Sequence, residues 1–160
     1  MTAEVSRAAL RQAVASPGSC QNGGMPPAII LSTLNAKYIH ASLGLRYLLA
    51  NMARHGGADL RERTVLREFT IARPVQEIVD ALLAELGEPD DGAVQVVGFG
   101  VYIWNVVPST EVVRRLKQAR PALKIVLGGP EVSYEWADQE IVRLADHLGV
   151  PLSGVVRGPD

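Results

Sequence analysis

The chain has a single cysteine, Cys20, in 160 residues. No intrachain disulfide can form, and a reducing cytoplasm is the expected compartment. One thiolate is too few to hold an iron–sulfur cluster, so none is expected on this chain alone. An excess of charge is also missing: 16 Lys and Arg stand against 17 Asp and Glu, a formal net charge of −1. That excludes the basic field needed to hold a nucleic acid backbone and a polybasic patch for anionic lipid. Neither nucleic acid nor a membrane is an expected partner. No apolar run approaches the roughly 18 residues of a membrane-spanning helix. The amino terminus shows no basic region followed by an apolar core, the pattern of a signal peptide.

A chain of this length suits one domain, and its 48% hydrophobic and 21% charged content is ordinary for a globular protein. Met1 to Pro27 differs from the rest. Glu4–Val14 reads as a short helix with Val5, Ala8, Ala9 and Ala13 on a weakly apolar face. Ser16 to Gly24 then has a composition that cannot pack a core. Residues 1–27 are expected to be a flexible tail and residues 28–160 the domain, with Met25 a second candidate start.

From Ala28 strands and helices alternate. Ala28–Thr33 is a continuous apolar run, as in a central strand covered on both faces. Ser42–Arg54 predicts a helix with Leu45, Leu48, Leu49 and Met52 on one face, stopped by Gly56 and Gly57. Arg63–Ile71 reads as an edge strand. Pro74 opens a helix whose stripe Val75, Ile78, Val79, Leu82, Leu83 and Leu86 is the cleanest 3.6-residue period in the chain. Ala93–Gly100 is the third strand. Ser109–Ala119 is the third helix, with Val112, Val113 and Leu116 inward and Glu111 in its first turn. Lys124–Leu127 is the fourth strand, and Trp136–Leu148 a helix with Ile141, Leu144, Ala145 and Leu148 inward. Gly154–Arg157 is a short fifth strand. The order predicts an α/β fold: a three-layer, Rossmann-like, five-stranded parallel sheet in flavodoxin-type order 2-1-3-4-5.

In such a sheet the ligand site lies at the carboxyl ends of the strands, at the switch point between the first and third. Three loops fall there: Leu34–Ala41, Val101–Val107 and Gly128–Ser133. They hold Tyr, Trp, His, Asn and Gly, while the strands are plain Val, Ile and Leu. Familiar phosphate sites fail: no P-loop is present, and Gly98-Phe99-Gly100 lies inside a strand with Ile103 where a dinucleotide fingerprint needs its third glycine. No carboxylate ends the third strand, as a phospho-acceptor domain requires. What remains is a crevice of backbone, glycine and aromatics. Gly128 and Gly129 admit close approach to the main chain, and Tyr38, Tyr102 and Trp104 offer flat surfaces. A large planar ligand with a polar tail suits it better than a small anion.

The strings AIILSTLNAKYIHASLGLRYL, EFTI, VVGFGVYIWN and IVLGGPEVSYE closely resemble the amino-terminal cobalamin (vitamin B12)-binding domain of radical S-adenosylmethionine proteins. The resemblance covers Ala28 to about Gly158. It implies that Gly128 and Gly129 admit the nucleotide tail, with Pro130 in the same turn. It implies that Asn35, Tyr38, Tyr102 and Trp104 frame the corrin, and it puts Gly100 where relatives carry a small hydroxyl residue near the tail. Cobalamin-dependent mutases carry DxHxxG after the first strand, whose histidine ligates cobalt. That motif is absent, and His40 lacks its spacing. The resemblance therefore implies base-off cobalamin with no histidine ligand. Relatives continue past the fifth strand into a catalytic domain with a CxxxCxxC cluster motif; this chain reads Arg157-Gly158-Pro159-Asp160 there. The expected role is a binding module that serves a radical S-adenosylmethionine catalytic domain or subunit in methyl transfer or related chemistry. Two alternatives stay open: an orphan regulatory or interaction domain that keeps the fold without the cofactor, and one half of a split enzyme.

Overall fold

The computed structural model describes residues 27–37, 41–89, 93–133 and 140–147. Within them, four parallel strands form one sheet: β1 (Ile29–Asn35), β2 (Thr64–Thr70), β3 (Val96–Gly100) and β4 (Lys124–Gly128), in the order β2-β1-β3-β4. This matches the first four positions of the predicted order. The predicted fifth strand and the amino-terminal tail lie outside the described residues. The helices are α1 (Leu43–Gly56), α2 (Ala58–Glu62), α3 (Val75–Leu86), α4 (Val106–Ala119), α5 (Pro130–Ser133) and α6 (Glu140–His147).

The two faces of the sheet are unequal. On one, α3, α4 and α6 pack side by side over Ile30 and Leu34 of β1, Phe69 of β2, Val97 and Phe99 of β3, and Ile125 and Leu127 of β4. Ile78, Val79, Leu82 and Leu86 of α3 and Val112, Val113 and Leu116 of α4 are buried there as their spacing predicts. Each fully buried aliphatic side chain contributes roughly 2 kcal/mol, so this face carries most of the core. From α6, Ile141 is fully buried beside Val142, which the periodicity did not single out. Leu144 is only half-buried, and the side chain of Ala145, like Leu148 and Trp136, lies outside the description.

The opposite face carries α1 and α2. Here one expectation is corrected. Of Leu45, Leu48, Leu49 and Met52, only Leu45 is buried, and Leu48 is 53% exposed. The physical reason is placement. The helix rests against β1, β2 and the short α2, and among the described residues these leave much of its apolar stripe uncovered. A second correction concerns α4, which starts at Val106 and not at Ser109. Pro108 falls in its first turn, where a missing N–H costs nothing. Glu111 is therefore past the first turn, paired instead with Arg114 and Arg115. Those two guanidiniums, Arg115 first, hold its carboxyl below the usual range against a smaller opposing effect of burial.

The amino ends of the strands are closed by polar side chains. Gln95 donates to the Leu86 carbonyl and accepts from Arg120, which also donates to the Gly87 carbonyl. Lys117, nearly buried on α4, donates from Nζ to the Pro121 and Leu123 carbonyls at 2.6 Å each. Burial, and secondarily Lys124, lowers its pKa. Replacing Lys117 by methionine keeps the stem and strands both carbonyls. Urea unfolding should show a loss of about 1–2 kcal/mol at neutral pH. The lowered pKa means the unfolded chain binds more protons, so the wild type gains on the variant as pH rises through that pKa toward the ordinary lysine range.

Candidate functional site

The carboxyl ends of β1, β3 and β4 stand in register: Thr33 beside Gly100, and Gly100 beside Gly128. Partners in a ladder point to the same face, so Thr33, Gly100 and Gly128 form one row on the α1 side. Two strands of that row carry no side chain. A Cβ at Gly100 would sit 3.5 Å from Leu45 Cδ1, Thr33 Oγ1 and Tyr102 Cε2, ordinary contact distances. A Cβ at Gly128 would meet no described atom within 4 Å. Glycine inside a strand is unfavourable unless something approaches the backbone closely. At Gly128 no described part of the chain makes that approach.

Gly129 is different in kind. Its φ is +116°, and a Cβ there would lie 2.4 Å from the Val101 carbonyl oxygen and 2.9 Å from its nitrogen. The turn after β4 lies directly on the backbone after β3. The Val101 N–H donates to the Gly128 carbonyl at 2.7 Å, and the Glu131 N–H to the Val101 carbonyl at 3.4 Å. Pro130 then opens the short α5, whose Ser133 hydroxyl donates to the Gly129 carbonyl at 2.8 Å.

A residue that the sequence reading left out of its site, Asn105, ties the switch point together. It is fully buried. Its Nδ2 donates toward the Leu34 carbonyl at 3.0 Å, the Gly100 carbonyl at 3.1 Å and Thr33 Oγ1 at 3.2 Å, three acceptors sharing two hydrogens. Its Oδ1 accepts from the Tyr102 N–H at 2.8 Å. Thr33 completes the ring, its hydroxyl donating to the Gly100 carbonyl at 2.8 Å. The ends of β1 and β3 are thus fastened by one amide. The only signal in the sequence was the asparagine closing YIWN, immediately before a helix, which reads equally as an ordinary cap. It makes no such cap bond.

Tyr102 and Trp104 stack on each other, centroids 4.7 Å apart and planes within 6°. Trp104 is 46% exposed and stands beside Ile103 and Val107, both also exposed. The Tyr102 hydroxyl reaches toward Gly44 at the start of α1, 3.9 Å from where a Cβ would stand. The first turn of α1 and the loop after β3 therefore meet at this tyrosine, and Leu43, Ile103, Trp104 and Val107 on these segments are exposed apolar residues.

Asn35 is buried at the end of β1, and its Nδ2 donates to Glu68 Oε1 at 3.2 Å. The same carboxylate accepts from the Ser42 N–H at 2.6 Å and pairs with Arg46. Lys37 is exposed. Tyr38 and His40 lie outside the described residues. Of the predicted site, then, Gly100, Tyr102, Trp104, Gly128, Gly129 and Pro130 come together at the ends of β3 and β4, with Asn35 at the end of β1. Thr33, Asn105 and Glu68 were missed. Among the described residues no three His, Cys, Asp or Glu side chains gather as a metal site. No helix among them is long and apolar enough to cross a membrane.

A search of curated proteins finds no match. Residues 31–149 match the family described as B12 binding domain. That span holds β2, β3, β4, nearly all of β1 and every loop of the site just described. The chain belongs to the B12-binding domain family, which supports a cobalamin-binding module.

Proposed function

We propose that this chain binds cobalamin in the base-off form, with no protein histidine on cobalt, as the cofactor module of a radical S-adenosylmethionine system. The observation that carries the reading is the open side of Gly128, in line with Gly100 and Thr33. This is a cradle that side chains would fill, and its place after the fourth strand is where the family's nucleotide tail is admitted. The residues present fit that group. Gly100 and Gly128 leave the slot, Thr33 supplies a hydroxyl on its floor, and Leu45 walls one side. Tyr102 and Trp104 frame the corrin beside the slot. Their stack leaves Trp104 half in solvent, with Tyr102 resting against Gly100. Bound cobalamin supplies a cobalt centre able to carry a methyl group or a related fragment. The chain's own residues would bind and orient it. Chemistry on a substrate belongs to a catalytic domain or subunit bearing an iron–sulfur cluster.

Titrating the purified protein with hydroxocobalamin tests this. The expected result is a saturable spectral change toward the base-off form, with quenching of tryptophan fluorescence that is lost in Trp104→Ala. No saturable change up to high micromolar hydroxocobalamin and methylcobalamin overturns it.

A further inference from the structure

The wall of the glycine slot is the first turn of α1, and that turn is held by very little apolar packing. Leu45 is the one buried residue of the 14 in α1. Leu45 is also the residue whose Cδ1 stands 3.5 Å from the Cβ position of Gly100, and its neighbour Gly44 faces the Tyr102 hydroxyl. A helix placed over a ligand slot with one buried side chain needs another anchor.

Glu68 on β2 provides it. Its side chain is 16% exposed, and it takes three partners from the segment that joins β1 to α1. Oε1 accepts from Asn35 Nδ2 and, at 2.6 Å, from the backbone N–H of Ser42; Oε2 pairs with Arg46. One carboxylate thus grips the last residue of β1, the residue that caps α1 through its own hydroxyl, and the second turn of the helix. Charge-assisted bonds to a largely buried carboxylate are stronger and more directional than neutral ones, so this grip sets where the first turn lies. Arg46 alone contributes little to it, because its side chain is 54% exposed.

We propose that Glu68 is the positioning residue of the cofactor slot: through Asn35 and Ser42 it places the first turn of α1 against Gly100. This rests on the cobalamin reading for its ligand. A site framed to fractions of an ångström by supporting hydrogen bonds loses binding when they go, even where the fold survives.

The test compares Glu68→Ala, Glu68→Gln and Arg46→Ala with the wild type. Two readouts are taken: hydrogen exchange of the segment containing Ser42–Arg46 in the cofactor-free protein, and hydroxocobalamin affinity. Glu68→Ala should speed exchange in that segment while peptides from α3 and α4 stay protected. It should weaken hydroxocobalamin binding by about tenfold or more. Arg46→Ala should stay within about threefold of the wild type in affinity. Glu68→Gln keeps an acceptor for Ser42 but turns an amide N–H toward Arg46, and should fall between the two. Should Glu68→Ala lose protection throughout, Glu68→Gln is read in its place by the same criteria. Unchanged exchange at Ser42, or faster exchange with unchanged affinity, overturns the inference. A wild type that binds no cobalamin overturns the cofactor reading instead, and the exchange measurement then decides by itself whether Glu68 places this turn.

Discussion

Replacing Gly129 by alanine is expected to destabilise the domain by about 3–5 kcal/mol, while the same change at Gly128, one residue earlier, costs nothing. The difference is geometric. At Gly129 the new methyl would meet the carbonyl oxygen and nitrogen of Val101 at 2.4 and 2.9 Å, and the backbone at φ +116° disfavours any L side chain. Backbone cannot turn aside as a flexible side chain can. The turn after β4 would have to lift from β3, breaking the Val101–Gly128 and Glu131–Val101 hydrogen bonds. Against a total stability of roughly 5–15 kcal/mol for a domain of this kind, that is a large share. Gly128→Ala meets no described atom and removes conformational freedom from the unfolded chain, so its stability should match the wild type or exceed it by up to about 1 kcal/mol. Its effect should appear instead in cobalamin binding, because the methyl fills the slot. Urea midpoints with unchanged slopes, followed by titration of both variants, check the pair. Equal stabilities for the two would contradict the contact after β3, and unchanged affinity in Gly128→Ala would remove Gly128 from the slot.

Asn105 is the second position with a large expected effect. Asn105→Ala leaves the Tyr102 N–H without its acceptor, takes the amide from between Leu34, Thr33 and Gly100, and opens a void at a fully buried site. A loss of about 2–4 kcal/mol is expected. Asn105→Asp is nearly the same shape and separates packing from hydrogen bonding. It still accepts from Tyr102 but sets a carboxylate oxygen against the Leu34 and Gly100 carbonyls. Burial and those oxygens raise the new carboxyl's pKa. The folded state therefore binds its proton more readily than the unfolded chain, and stability that is low at neutral pH should recover in part as pH falls through the raised value. The wild type has no such group at this place and should show no matching recovery. Unfolding midpoints at several pH values distinguish the variants, and a pH-independent deficit in Asn105→Asp would contradict a buried carboxylate with a raised pKa at this place.

Much of the fold was legible because burial leaves a period in the sequence. The α3 stripe from Val75 to Leu86 and the apolar run of β1 correspond to elements buried on one face and on both. Legibility failed where burial did. The Leu48, Leu49 and Met52 stripe of α1 has the right spacing, but no described element covers it fully. The start of α4 was misplaced because proline is allowed in a first turn, so Pro108 marked no boundary.

For the candidate site, the sequence by itself determined which loops share one end of the sheet. Parallel strands with right-handed crossovers put 34–41, 101–107 and 128–133 at one end of the sheet, and the glycines and aromatics there marked them as specialised. Only the tertiary structure decided what each residue touches. Gly128 and Gly129 are adjacent and identical in type, yet one meets no described atom and the other the backbone of Val101. Asn105 and Glu68 are ordinary polar letters until strand register brings Thr33, Gly100 and Asn35 within hydrogen-bond reach of them. Periodicity reports contact with the core, which is local along the chain. A polar side chain's role depends on partners up to 72 residues away, and no local pattern records them.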